Sequence, residues 1–246
     1  MRRPLIDLRN EDCLTGLRKI KPGKARLIFA DPPYNLSGKN HQTVRSGKWA
    51  KCDKGDWDNI TNFDEFNAQW IAECIRVLAD DGTMWISGTL HSHPSVGIAL
   101  KEAGLWIIND VVWFKRNAPP VKVKNRFAPS TELIWVASKS KKYFFDYDAA
   151  KAMNDGKQMR NLWDIKAEKH ITSHPTEKPE TLLERIIGIA TAKGDIVVDP
   201  FMGSGTTGAV AKRMHRAFIG FEISREYFKI ADKRINARKS AKSSRR

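Results

Sequence analysis

The sequence predicts an α/β fold: a mostly parallel sheet with helices on both faces. Three observations carry that expectation. Short apolar runs alternate with stretches of helical periodicity along the whole chain. Two of the apolar runs, Ala25 to Ala30 and Ile196 to Val198, end in Asp-Pro, at Asp31-Pro32 and Asp199-Pro200. The second run passes through a glycine turn directly into a helical stretch, the layout of a nucleotide-type site at the end of a strand.

In chain order, Leu5 to Leu8 reads as a short strand and Leu14 to Lys19 as a helix, with Asp12 placed to cap it. Residues 25–30 form a buried strand that stops at two prolines, which cannot continue a ladder. From Asn35 to Asp58 the chain is polar, rich in Gly and Lys, and without sustained periodicity. It carries Lys39, Arg45, Lys48, Lys51 and Lys54, with Trp49 and Trp57 between them. Loops of this length inside a domain usually serve function, and this one reads as a cover that touches phosphate. Phe63 to Leu78 has an amphipathic helical pattern through Phe66, Trp70, Ile71, Cys74 and Ile75, which reads as core. A turn is expected at Asp80-Asp81-Gly82, a strand at Thr83 to Ser87, and a helix from Ser92 to Ala103. Leu105 to Phe114 and Thr131 to Ser138 are two further strands.

Between them, residues 115–130 form a hairpin with Lys115, Arg116, Lys122, Lys124 and Arg126 and no acidic residue. That one-sided charge favours phosphate contact over a solvated tip. Tyr143 to Ile171 is irregular and mixed. Within the broader 140–172 segment, Asn154, Lys157, Gln158 and Arg160 are candidate base readers, because amides pair with adenine and Arg with guanine. Local capping by the same residues is the other reading. Leu182 to Ala192 is a helix, Ala217 to Glu222 a strand, and Ser224 to Arg238 a last helix. A basic tail follows at 239–246.

Two motifs carry chemistry. Asp31-Pro32-Pro33-Tyr34 presents one carboxylate, carbonyls without competing proline N–H groups, and one aromatic ring. These are parts that hold a planar amino group, the acceptors taking its hydrogens and the ring stacking on the base that carries it. Asp199-Pro200-Phe201-Met202-Gly203-Ser204-Gly205-Thr206-Thr207 is the glycine turn, where the backbone admits close approach of a ligand and helix N–H groups favour its negative end. Its Gly-Ser-Gly spacing is not the GxGxxG of dinucleotide binders. Glu222, ending the next strand, is suited to accept hydrogen bonds from two ribose hydroxyls.

Composition bounds the rest. A chain of 246 residues suits one sizeable domain, and 41% hydrophobic content suits a packed core. Lysine and arginine exceed aspartate and glutamate by 15, with an isoelectric point near 9.8, which points to a polyanionic partner. The three cysteines, Cys13, Cys52 and Cys74, form no CxxC pair. A disulfide framework or zinc site is therefore not expected, and a reducing cytoplasm is. No apolar run approaches the length of a membrane span.

In order and content, Asp31-Pro32-Pro33-Tyr34, His174-Pro175-Thr176-Glu177-Lys178-Pro179 and the glycine turn resemble the β-class DNA amino-methyltransferases. In that class the catalytic motif precedes the S-adenosylmethionine motif. Asp53 to Asp58, Trp85 to Gly88 and Asn154 to Met159 further resemble the DpnA-type adenine methylases of Dpn restriction systems. The resemblance implies a single Rossmann-like domain with a seven-stranded sheet entered at a permuted point. It implies catalysis by Asp31, Pro32, Pro33 and Tyr34, with Asp12 and Cys13 beside the cofactor's adenine. Asp199, Phe201, Gly203, Ser204, Gly205, Thr206 and Glu222 would hold the rest of the nucleoside end. His174, Thr176 and Lys178 would close over the methionine end, Thr176 or Lys178 meeting its carboxylate. The implied reaction is methyl transfer to N6 of adenine in DNA, in a short site such as GATC, with single strands also accepted and no metal needed. N4 of cytosine, or a DNA-binding protein of the same fold that has lost catalysis, are the alternatives. A homodimer and a cognate restriction endonuclease are the further partners this resemblance allows.

Overall fold

The computed structural model describes residues 4–37, 42–45, 48–51, 58–121, 124–167 and 177–237, with the backbone alone for 42–45 and 48–51. The elements that set the architecture follow from the apolar runs. They are β1 (Ile6–Arg9), α1 (Cys13–Arg18), β2 (Ala25–Ala30), the small hairpin β3 (Gln42–Arg45) and β4 (Lys48–Lys51), α2 (Phe63–Val77), β5 (Leu78–Gly88) and α3 (His93–Glu102). Then come β6 (Trp106–Phe114), β7 (Thr131–Ser138), α4 (Tyr147–Ala152), β8 (Leu162–Asp164), α5 (Glu180–Ala190), β9 (Ile196–Asp199), α6 (Thr206–Arg213), β10 (Ala217–Phe221) and α7 (Arg225–Asn236).

One sheet runs in the order β1-β10-β9-β2-β5-β7-β6-β8. Strands β1, β10, β9, β2 and β5 are mutually parallel. β7 is antiparallel to both β5 and β6, and β8 returns parallel to β6. The carboxyl ends of every strand but β7 therefore share one edge, and the amino end of β7 joins them there.

Successive residues of β2 go to opposite faces, as the pleat requires. Leu27 and Phe29 pack into a cluster with Leu183, Ile186, Ile187, Val210, Phe218 and Ile235, from α5, α6, β10 and α7. Ile28 and Ala30 pack into a second cluster with Leu17, Trp70, Ile71, Cys74, Val96 and Leu100, from α1, α2 and α3. A strand buried on both faces needs an unbroken apolar run, and Ala25 to Ala30 is interrupted only by Arg26. Among the described residues no helix is long and apolar enough to cross a membrane.

Three expectations need correction. The sheet has eight strands, the additional one being the three-residue edge strand β8. The stretch from Tyr143 onward is not wholly irregular, since it contains α4 and β8. Asp80-Asp81-Gly82 is not a turn between elements but a bulge within β5, where the register jumps from Ala25↔Leu78 to Leu27↔Thr83. The extra residues are accommodated because Gly82 presses on β2: a Cβ there would stand 2.8 Å from the Arg26 carbonyl oxygen and 2.9 Å from that of Ala25. The Ser138 hydroxyl and the Phe144 N–H take the carbonyls of Gly82 and Asp81, at 2.9 and 2.8 Å.

The packing of α6 yields a test. Replacing a mid-helix glycine by alanine ordinarily stabilises by about 1 kcal/mol. At Gly208 the new Cβ would stand 2.5 Å from Ile235 Cδ1 and 2.6 Å from the fully buried Phe218 ring. Overpacking of that kind costs about 1–3 kcal/mol, so it prevails. Gly208→Ala is expected to lower the urea midpoint with an unchanged m-value, and a raised midpoint would show that the Phe218 ring yields freely.

Candidate active site

β2 and β9 are hydrogen-bonded neighbours, with Leu27 opposite Val197 and Ile28 opposite Val198. Residues 31 and 199 therefore leave the same edge side by side. Both motifs line one cavity of about 470 Å³, whose wall includes Asp12, Cys13, Asp31 to Tyr34, Lys178, Asp199 to Ser204, Thr206 and Glu222. That size suits a small-molecule site.

At one end is the Asp31 carboxylate. Its Oδ1 accepts a hydrogen bond from the Tyr34 hydroxyl at 2.5 Å, and its Oδ2 one from Lys178 Nζ at 2.5 Å. Lys178 is nearly buried, with 7% of its side chain exposed, and its three hydrogens face three oxygens. These are Asp31 Oδ2, the Tyr34 hydroxyl at 3.3 Å and Glu132 Oε2 at 3.3 Å. Lys115 then closes on the other oxygen of Glu132 at 2.9 Å. Two cations and two carboxylates thus alternate in a chain at the sheet edge.

The charges hold one another. Burial alone would lower the Lys178 pKa, but Asp31 and Glu132 outweigh it and hold the ammonium well above its usual value. Burial would likewise raise Glu132, and Lys178 and Lys115 hold it below the usual glutamate value. Tyr34 is pushed well above its usual value, by burial first and the Asp31 charge second, so it stays a neutral donor.

The turn after Asp31 is fixed by a residue that lies 24 positions from Tyr34. Asp58 is 0% exposed, and its carboxylate accepts four backbone N–H groups. Oδ1 takes Tyr34 and Asn35 at 2.9 Å each, and Oδ2 takes Leu36 and Ser37 at 2.8 Å each. Asn35 completes the wrap with φ of 55° and a two-way exchange with Ile60, at 3.0 and 3.1 Å. Asn tolerates that left-handed conformation better than most residues.

At the other end of the cavity, Glu222 accepts from Gly203 N–H at 3.0 Å through Oε2 and from Ser224 N–H at 2.8 Å through Oε1. Each oxygen keeps a lone pair in a group that lines the cavity. Burial raises its pKa. Burial also pushes Asp199 up to about 7, which limits repulsion between it and Asp31, while the Thr207 hydroxyl and Phe201 N–H favour its charged form. Cys13 is pushed up to about 12 by burial, so its thiol is a neutral apolar wall and not a nucleophile. Gly203 and Gly205 have φ of 50° and 79°, and a Cβ on Gly205 would stand 2.9 Å from Ala231 Cα. The glycine turn is braced from α7: Arg234 donates to Ser204 Oγ at 3.3 Å and Thr206 Oγ1 at 2.8 Å, and pairs with Glu180 at 3.1 Å.

Several residues that matter here carried no sequence signal for the role they play, Asp58 entering only as the last residue of the Asn35 to Asp58 loop and of the Asp53 to Asp58 stretch. Glu132 sits in an apolar strand pattern, Asp58 at the end of a polar loop, and Arg234 on an ordinary amphipathic helix. Other candidates are placed apart from the cavity. Arg116 is paired with Asp164 through a two-pronged contact at 2.7 and 2.5 Å, while Lys124 and Arg126 are exposed on the 115–130 hairpin. Lys157 and Gln158 follow α4, in a stretch tied to the amino edge of the sheet through Phe144 N–H to Asp81 and Asp146 N–H to Ile189. They do not line the cavity. Asn154 caps locally, donating to the carbonyls of Lys157 and Gln158 at 3.1 Å each. Lys39, Lys122, His174 and Thr176 lie outside the described residues, as do the side chains of Arg45 and Lys48.

Comparison with known proteins agrees with this geometry. A family model described as DNA methylase matches residues 25–233. The chain is 46% identical over 238 residues to the type II methyltransferase M2.DpnII of Streptococcus pneumoniae, covering 93% of this chain and 88% of that one. It is 46% identical over 235 residues to M2.LlaDCHI of Lactococcus lactis subsp. cremoris, covering 92% and 87%. The crystal structure of the M1.HpyAVI–SAM complex superposes with a TM-score of 0.71 at 29% identity, covering 95% of this chain and 100% of that one. The cytosine-N4-specific PvuII DNA methyltransferase shares the fold, with a TM-score of 0.75 at 21% identity and 97% and 90% coverage. Matched over nearly its whole length in sequence and in fold, this chain belongs to the DNA methylase family.

Proposed function

We propose that this DNA methyltransferase moves a methyl group from S-adenosylmethionine to N6 of adenine, in the site GATC, and accepts single strands as well as duplex. The observation that carries the reading is the single cavity that joins the Asp31-Pro32-Pro33-Tyr34 turn to the glycine turn and Glu222. S-adenosylmethionine supplies an electrophilic methyl group, so neither a metal nor a covalent intermediate is required. The residues fit it: Glu222 has lone pairs to spare for two ribose hydroxyls, Asp12 and Cys13 flank the same wall, and Gly203 leaves room for backbone approach.

An exocyclic amine is a poor nucleophile because its lone pair is delocalised into the ring. Asp31 and the Pro32 carbonyl accept its hydrogens and localise that pair as N6 pyramidalises. Lys178 and the Tyr34 hydroxyl fix both Asp31 oxygens, so the acceptor does not reorient during the reaction; orientation of this kind is a large part of catalysis. On this reading Lys178 serves Asp31 and not the cofactor's carboxylate. The target lies inside the duplex stack, so it is rotated out, and the Tyr34 ring is the aromatic surface offered to it. Aspartate rather than serine at position 31, together with the Dpn-type relatives, favours adenine over cytosine N4. Recognition is assigned to the 115–130 hairpin, since Lys157 and Gln158 lie toward the opposite edge.

Modified-base sequencing of DNA from a methylation-free host is expected to find N6-methyladenine in GATC for the wild type and none above background for Asp31→Asn. Purified Asp31→Asn should bind S-adenosylmethionine within about threefold of wild type while turnover falls at least about a hundredfold. Methylated cytosine, another site, or full turnover by the variant would each overturn the corresponding part.

Glu222 gives a pH signature. Protonation removes acceptor capacity, and its pKa is raised, so cofactor affinity should be complete at neutral pH and fall as pH drops, beginning above the ordinary glutamate range. Calorimetry on Glu222→Gln should show affinity weaker by roughly 1–3 kcal/mol and a smaller dependence on pH than in the wild type, the remainder coming from Asp199. An unchanged slope would remove Glu222 from the site.

Asp58 is a positioning residue for the turn. Asp58→Asn keeps its shape but replaces one accepting oxygen by a donor that faces Leu36 and Ser37 or Tyr34 and Asn35. Turnover is expected to fall by about tenfold to a hundredfold with cofactor affinity retained, because displacement of a reacting group by about 1 Å has that scale of effect. Equal losses in turnover and cofactor affinity would make Asp58 a general stability residue instead.

A further inference from the structure

The 115–130 hairpin leaves the catalytic edge from β6 and returns to it at β7. Its stem is closed by Lys115 N–H donating to the Ser130 carbonyl at 2.7 Å. It is braced from the side by the Arg116–Asp164 pair and by Asn117, which exchanges two hydrogen bonds with the Ala167 backbone, at 2.8 and 2.9 Å. Beyond that fixed stem, Phe127 is 98% exposed. The next most exposed large hydrophobic side chain among the described residues is Leu90, at 79%.

We propose that Phe127 is a wedge that enters the base stack of duplex DNA beside the target base and holds the opening from which that base has been rotated. The proposal rests on the reading of this protein as a base-flipping methyltransferase. It deepens that reading by naming the residue that opens the duplex.

Four features on the protein carry it. A phenyl ring almost wholly in water is disfavoured, and a base step supplies an apolar slot with two π faces. The stem of the hairpin is continuous with the catalytic carboxylate through three ion pairs: Lys115–Glu132 at 2.9 Å, Glu132–Lys178 at 3.3 Å and Lys178–Asp31 at 2.5 Å. The hairpin therefore rises from the same stretch of the sheet edge as Asp31. The segment carries Lys115, Arg116, Lys122, Lys124 and Arg126 and no acidic residue, so a second copy of the same segment is repelled while a polyanion is attracted. Pro119, Pro120 and Pro129 limit the conformations of the segment, which lowers the ordering cost of inserting a side chain from it.

The wedge acts only where a stack must be opened, and that separates it from a general DNA contact. The test compares wild type, Phe127→Ala and Phe127→Leu on three oligonucleotides carrying the site found by modified-base mapping: an intact duplex, the same duplex with an abasic position opposite the target, and the single strand. Phe127→Ala is expected to lose about tenfold or more in kcat/KM on the intact duplex and no more than about threefold on the two opened substrates. Phe127→Leu should recover most of the duplex loss, since an aliphatic wedge also separates a step. With 2-aminopurine at the target position, Phe127→Ala should give a weaker flipped-base fluorescence on the duplex at saturating protein. Equal losses on all three substrates, or no loss on the duplex, would overturn the proposal. So would a smaller sedimenting mass for Phe127→Ala than for wild type without DNA, which would assign the ring to a contact between copies of the chain. A wild-type enzyme that labels cytosine would overturn the adenine reading alone, because the ratio between duplex and opened substrates still decides the wedge.

Discussion

The short ladder between β2 and β9 is the constraint on which the site depends. Two register pairs, Leu27 with Val197 and Ile28 with Val198, bring together carboxylates 168 positions apart in the chain. The residues that follow those two strands, Asp31 to Tyr34 and Pro200 to Ser204, then face one cavity. The ladder lies at the centre of the sheet, where β2 runs toward β5 on one side and β9 toward β10 on the other. Helices cover both faces there, so the backbone hydrogen bonds are shielded from water and the strand ends are held rigidly. Ligand sites of open α/β sheets gather at such reversals of strand order because the loops on either side diverge and leave a crevice.

Around that crevice the protein buries charge, and it does so only in compensated form. Lys178 would be costly alone in a site where 7% of its side chain is exposed, yet each of its hydrogens meets an oxygen. Asp58 is a fully buried carboxylate whose charge is met by four backbone N–H groups. Removing one member of such a group leaves the others buried without partners, which costs more than the contact contributes. The network is therefore rigid for the same reason that it is expensive.

Much of this was legible in the sequence, for identifiable reasons. β2, β9 and β10 are buried on both faces, so they read as apolar runs, broken in β2 only by Arg26, and their Asp-Pro and Gly-rich ends mark where the chain turns. That Asp31 and Asp199 each end a strand was legible; their adjacency needed the β2–β9 pairing. What escaped was whatever depends on long-range pairing. Glu132 is a lone charge in an apolar strand pattern; the hairpin expected at 115–130 implied that β7 returns beside β6, but not that Glu132 meets Lys178 and Lys115 there. The bulge at Asp80-Asp81-Gly82 has the composition of a turn, and only its fit against the Ala25 and Arg26 carbonyls keeps it inside β5. Lys115 and Arg116 were legible as cations but not as paired ones, because their partners Glu132 and Asp164 are 17 and 48 positions away.

The reversal of β7 has a further consequence, for how such a protein changes over evolutionary time. In a parallel arrangement the connection between β6 and β7 would have to cross the full height of the sheet, and its length would be tied to that span. Because β7 is antiparallel, the chain departs from the edge at Phe114 and re-enters beside it at Thr131. The intervening segment is thus an interchangeable cassette whose ends do not move. Each doubling of such a loop costs only about 0.6 kcal/mol in closure entropy. That segment can therefore change in length and sequence while the sheet, the cavity and the carboxylate at its edge keep their places.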